Sequence, residues 1–121
     1  MAFICPDCGT DQLEIESGIE LPSDARSDDI WLQIVGCEGC GLRGVVAYEE
    51  SRRGALNSES WSHEGHRADE ALLQQIGELI SCCPNPHDAR CPCDSHAFLA
   101  GGGWRELVAG VPREEIFQVE R

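Results

Sequence analysis

The residues of this chain best able to do chemistry stand in three groups. "CPDCG" occupies 5–9, "CEGCG" occupies 37–41, and "SCCPNPHDARCPCDSH" occupies 81–96, where four cysteines and two histidines share sixteen positions. Thiols and imidazoles at this density hold a metal ion, exchange disulfides or act as nucleophiles. Spacing separates these uses. Two residues between cysteines make a tight turn whose amides point at the sulfurs, so both thiolates can sit on one small ion. Gly9 and Gly41 follow each turn, where a positive φ is often needed. One such turn also suits a thioredoxin-like redox pair, but that pair calls for a surrounding βαβ pattern, which this chain lacks. Two turns in one short chain favour metal.

The elements that must position these turns are legible around them. "DQLEIES" (11–17) alternates, with Leu13 and Ile15 on one face, and "IWLQIVG" (30–36) places Ile30, Leu32 and Ile34 on one face. "LRGVVAYEE" (42–50) is a third strand, and the polar, acidic "LPSDARSDD" (21–29) is a loop. The expectation is a three-stranded antiparallel sheet leading out of and into the two turns. Over residues 3–50 this arrangement resembles the zinc-ribbon (rubredoxin-like) class. The resemblance implies Cys5, Cys8, Cys37 and Cys40 as the four ligands of one tetrahedral ion, closed to water and substrate and therefore structural. Zinc is the commoner occupant of such a site, iron fits four thiolates equally, and four unliganded cysteines are the bland alternative.

Beyond residue 50 the pattern changes. "RRGALNSESWSHEGH" (52–66) reads as a polar connection carrying Trp61. "RADEALLQQIGELISCC" (67–83) has apolar residues at Ala68, Leu72, Ile76, Leu79 and Cys83, widened by Leu73 and Ile80, which is helical spacing. Asp69 is placed to cap its start, and Pro84 ends it. In "HEGH", His63 and His66 lack the two residues between Glu and the second His that a zincin helix requires, so exposed or locally bonded histidines are favoured over ligands or bases. The three glycines at 101–103 read as a linker, "WRELVAG" as a short helix ended by Gly110, and "PREEIFQVE" as a helix or a final strand.

The third group sits where that helix stops. Cys82 and Cys83 end it, so one should face inward and the other away. Cys91-x-Cys93-x2-His96 can converge on one ion and lacks a fourth ligand, for which Cys83, stiffened by two prolines, is best placed. The expected second site is Cys83, Cys91, Cys93 and His96, with His87 as a bystander in an exposed turn. A redox or disulfide role for Cys82, Cys83, Cys91 and Cys93 is the competing use. An open metal position would admit hydrolytic or thiol chemistry.

Composition limits the partners. Nine arginines, no lysine and 22 acids give a net charge of −13, shared between the two halves. A duplex binder needs cations to displace counterions, so nucleic acid is disfavoured, and Arg43, Arg52 and Arg53 read as ordinary solvated charge. No apolar run approaches the roughly 20 residues of a membrane span, and no secretory leader is visible, so the expected compartment is the cytoplasm, where thiols stay reduced. The fold class expected is α+β: a small zinc-ribbon sheet packed with one amphipathic helix, plus a second Cys/His metal-binding loop. Residues 1–50 form the ribbon, and residues 51–121 hold the helix, the metal loop and the tail, in one compact unit with it. The favoured function is a non-enzymatic protein with two structural zinc ions that acts as an interaction module for a partner with a basic surface. The alternatives are a metal-assisted hydrolase or thiol enzyme built on 81–96 with His63, His66 or His87 as base, and a nucleic-acid-associated ribbon.

Overall fold

The computed structural model describes residues 2–23, 28–51, 60–100 and 103–119. Six strands run in chain order through one antiparallel sheet: β1 (Ala2–Phe3), β2 (Leu13–Leu21), β3 (Asp29–Cys37), β4 (Arg43–Ser51), β5 (Ser60–Arg67) and β6 (Ile116–Gln118). Among the described residues three α-helices lie between β5 and β6: α1 (Glu70–Cys82), α2 (Asp94–Leu99) and α3 (Gly103–Val108). The class is α+β, as the sequence implies, but the three-stranded expectation is too small. The segment 60–67, expected to be connection, is a strand paired along its whole length with β4. It was missed because alternation signals a strand only when one face is apolar, and Ser-Trp-Ser-His-Glu-Gly-His-Arg shows no such face.

The central strands β3 and β4 are buried on both faces over 32–37 and 44–47, which is why those stretches read as near-continuous apolar runs. On one face Ile30, Leu32, Ile34, Val45 and Ala47 meet the helices through Leu73, Ile76, Ile80, Leu99, Trp104 and Val108. On the other, Val35 and Val46 join Phe3, Leu13 and Val119 in a smaller cluster with the buried thiols Cys5 and Cys37. Strand β2 serves both faces. Its pairing with β3 shifts between Ile15 and Ser17, so Leu13 lies opposite Cys37, whereas Ile19 and Leu21 lie opposite Leu32 and Ile30. A single bulged residue reverses the face of everything after it.

Helix α1 follows its sequence closely. The Asp69 carboxylate accepts from the Leu72 amide at 2.9 Å, satisfying one of the orphan donors of the first turn. Leu73, Ile76 and Ile80 are its buried residues, while Leu72 and Leu79 flank them half-buried. The tail resolves both of its readings in sequence: one 3-10 turn at Arg113–Glu115 leads into β6, and Phe117 lies over Gly65 of β5. The linker reading of 101–103 fails at Gly103, which begins α3; Gly101 and Gly102, like Arg52 and Arg53, fall outside the described residues. Among the described residues no helix is long and apolar enough to cross a membrane.

Ile76 has no exposed surface and stands at the centre of the helix–sheet contact. Ile76→Ala is expected to destabilise the fold by about 2–5 kcal/mol in urea unfolding, whereas the exposed Gln75→Ala should stay within about 0.5 kcal/mol of wild type.

Candidate metal centres

The two Cys-x2-Cys turns are near copies of each other. The Gly9 amide donates to the Cys5 carbonyl at 2.9 Å, and the Gly41 amide to the Cys37 carbonyl at 3.0 Å. Cys5 N–H reaches the Thr10 carbonyl and Cys37 N–H the Leu42 carbonyl, each at 2.8 Å. Gly9 and Gly41 adopt φ of +74° and +81°, the left-handed region that closes each turn; a Cβ at either would meet nothing within 4 Å, so the requirement is conformational rather than steric. The sheet supplies the rest, because β1–β2 and β3–β4 are adjacent hairpins and deliver the turns to one end of it.

The result is a cluster in which one sulfur from each of Cys5, Cys8, Cys37 and Cys40 lies within 4.8 Å of all the others. Cys5 Sγ stands 3.5 Å from Cys40 Sγ, and Cys8 Sγ 3.6 Å from Cys37 Sγ. A disulfide requires about 2.05 Å. Sulfurs bonded to one tetrahedral zinc at about 2.3 Å stand about 3.8 Å apart, so the geometry fits a shared ion. The Thr10 hydroxyl, 3.1 Å from Cys8 Sγ, and the Thr10 amide draw the Cys8 thiol down to about 6, helped by Cys37 and Cys5. At Cys40 the Leu42 amide pulls downward, but the bond with Cys5, desolvation and the other two sulfurs outweigh it and push that thiol up to about 12. One sulfur ionises readily and another resists, because in a crowd of four thiols the first charge raises the cost of the next.

The second cluster is Cys83, Cys91, Cys93 and His96, again mutually within 4.8 Å. Cys83 and Cys91 sulfurs are 3.8 Å apart, and His96 Nδ1 is 3.3 Å from Cys83 Sγ and 3.2 Å from Cys93 Sγ. Local structure places each donor. Cys83 is the C-cap of α1 and Cys93 the N-cap of α2, where its sulfur accepts from the His96 amide. That amide, then the His96 ring, lowers the Cys93 thiol to about 6, while burial, reinforced by Cys93 and Cys91, raises the Cys83 thiol to about 11. The His96 ring is oriented from outside the cluster. Its Nε2 lies 2.8 Å from the Glu20 carbonyl, so Nε2–H donates there and the Nδ1 lone pair faces the sulfurs.

The residues expected from sequence at each centre are thus brought together. Cys82 is exposed and Cys83 buried, dividing the pair as expected. His87 stays out of the cluster and packs against Trp31, ring centroids 5.6 Å apart. His63 and His66, three apart on a strand, project from opposite faces. His63 meets Phe3 and Tyr48 edge-on at 5.1 and 5.4 Å; His66 is buried, with Nδ1 3.3 Å from the Val45 carbonyl and Nε2 3.3 Å from Glu64. The two therefore cannot act on one substrate atom. Arg43 pairs with Glu16 at 2.8 Å.

Three supporting groups escaped sequence reasoning. Arg67, on β5, donates from Nε and a terminal nitrogen to Asp7, inside the first turn, and lies over the Phe117 ring at 5.3 Å. It sets a guanidinium beside a centre that would carry roughly −2 with four thiolates on a divalent ion. Thr10 and the Glu20 carbonyl are the others. The Thr10 contact is local and follows from the doubled turn; Arg67 and Glu20 reach their sites only through strand pairing.

Comparison with known proteins finds no match for this chain: no family model, no curated protein and no solved structure aligns with it.

In the metal-loaded protein His96 is expected to be the Nε2–H tautomer with Nδ1 bonded to metal, read from its 15N–1H correlation pattern. The reverse tautomer would remove Glu20 from the account of the site.

Proposed function

We propose that the chain is a non-enzymatic zinc-binding protein in which two closed four-ligand centres are structural, and that it serves as a protein-interaction module. The observation that carries this reading is the completeness of both clusters. Each brings four protein donors within 4.8 Å of one another, the number that fills the positions of a tetrahedral ion, which supports a closed site. Three thiolates with one imidazole favour zinc at the second centre, and zinc is the commoner structural occupant of the first, with iron as the alternative there. All eight cysteines are free, consistent with a reducing cytoplasm. The net charge of −13 suits a partner with a basic surface. Both stretches, 1–50 and 51–121, contribute strands to one sheet, which supports a single folding unit.

The test is elemental analysis of native protein purified without chelator. About two zinc per chain are expected, falling to about one in Cys91→Ser and in Cys8→Ser. Removal of both ions by a strong chelator should unfold the chain reversibly, followed by circular dichroism. A metal-free protein with intact secondary structure would refute the reading.

A further inference from the structure

Among the described residues, the face of the sheet opposite the helices is only partly covered. Beyond the small cluster around Val35 and Val46 it opens into a groove of about 650 Å³ lined by Phe3, Gly18, Trp31, Gln33, Tyr48 and His63, with Pro86 and His87 as one wall. Its two ends are tied to the two centres. Phe3 precedes Cys5 by two residues. Pro86 and His87 belong to the loop between Cys83 and Cys91, and the Glu20 amide holds that loop to the edge of β2 through the Pro86 carbonyl at 2.7 Å.

We infer that this groove binds an arginine-bearing segment of a basic partner protein, the guanidinium lying against Trp31 and donating to Gln33. The inference deepens the interaction role proposed above and rests on it. Gln33 carries the argument. It is 9% exposed, and its Oε1 is buried without a hydrogen-bond partner among the described residues. A buried acceptor left unsatisfied is unfavourable, and a donor that enters the groove and draws the Gln33 amide toward it relieves that penalty. Trp31 beside it lines the groove half-buried, its ring packed against His87 with centroids 5.6 Å apart, and an indole is the ring on which a planar cation stacks best. The rim has the matching charge. Glu16 lines this groove, and Glu20, Asp29 and Glu50 line a shallower cleft of about 250 Å³ that shares Trp31 and Tyr48 with it. Glu16 already accepts one guanidinium, that of Arg43 at 2.8 Å, at a half-exposed position. Lysine would satisfy the charge, but its compact ammonium stacks less well, so arginine is the side chain the site fits best.

The experiment uses the full chain with its native metal and a fluorescein-labelled peptide of alternating arginine and alanine, read by fluorescence anisotropy. A glutamate–alanine peptide is the control. Zinc content and circular dichroism are measured on the same samples. The arginine peptide should bind, weaken as salt is raised, and quench tryptophan emission, while the control should not bind. Trp31→Ala is expected to weaken binding about tenfold and Gln33→Leu about fivefold, at unchanged zinc content. If Trp31→Ala loses zinc or secondary structure, Gln33→Leu decides alone. Unaltered affinity in these variants, or no arginine-peptide binding by wild type, overturns the inference. If that happens at two zinc per chain, the structural-metal reading stands. Groove-dependent binding by a folded, zinc-free chain would instead sink the metal reading and leave this one in place.

Discussion

Four sulfurs, or three sulfurs and an imidazole, held within 4.8 Å of one another are a charge problem before they are a fold. Every thiol that ionises raises the cost of ionising the next, and a chain already at −13 offers little to offset it. A divalent cation between the donors removes that conflict and turns mutual repulsion into four bonds. Both clusters lie where the backbone would otherwise be least constrained: the hairpin ends of β1–β2 and β3–β4, and the irregular turn between α1 and α2. Both apolar cores include thiols of these segments, so the packing of each runs through them.

The two centres divide the structure between them. The first joins strands to strands, and its buried thiols, Cys5 and Cys37, are part of the smaller apolar cluster. The second joins helices to the sheet, and Cys83 and Cys91 belong to the larger core. They are linked by β2, which carries Leu13 into the first cluster and offers both backbone groups of Glu20 to the second. Glu20 can do this because β2 is an edge strand at that point. A backbone amide and carbonyl turned away from β3 need partners, and the metal loop supplies them through Pro86 and His96.

Much of this was legible in the sequence, and for a physical reason: metal turns and amphipathic helices are local. Cys-x2-Cys-Gly states its own geometry, Asp69 and Pro84 mark the ends of α1, and the inward and outward roles of Cys83 and Cys82 follow from helical spacing. What escaped was non-local. Strand β5 has no apolar alternation because its two faces meet different surroundings: His66 lies in a buried polar setting, while His63 lies among Phe3 and Tyr48. Strand β6 is three residues long, too short for any period to register. The bulge at residues 15–17 hides the largest consequence of all, since nothing in Leu-Glu-Ile-Glu-Ser-Gly-Ile-Glu-Leu announces that its first and last leucines face opposite sides.

That bulge also explains why, among the described residues, the sheet face opposite the helices carries a groove. Without the register shift, Ile19 and Leu21 would continue on the side of Leu13 and cover Trp31 and Gln33, and the helix face would lose two of its fully buried residues. With it, the larger core takes both, and the position beside Trp31 and Gln33 is left to Gly18, whose missing side chain keeps the groove free: a Cβ there would stand 3.3 Å from Gln33 Cγ and 3.4 Å from the Trp31 ring. A polar side chain buried beside a tryptophan, under a glycine, contributes little to a core. Its placement makes physical sense if the face is completed by another molecule, and the acidity of the chain favours a basic one for the binding role proposed above.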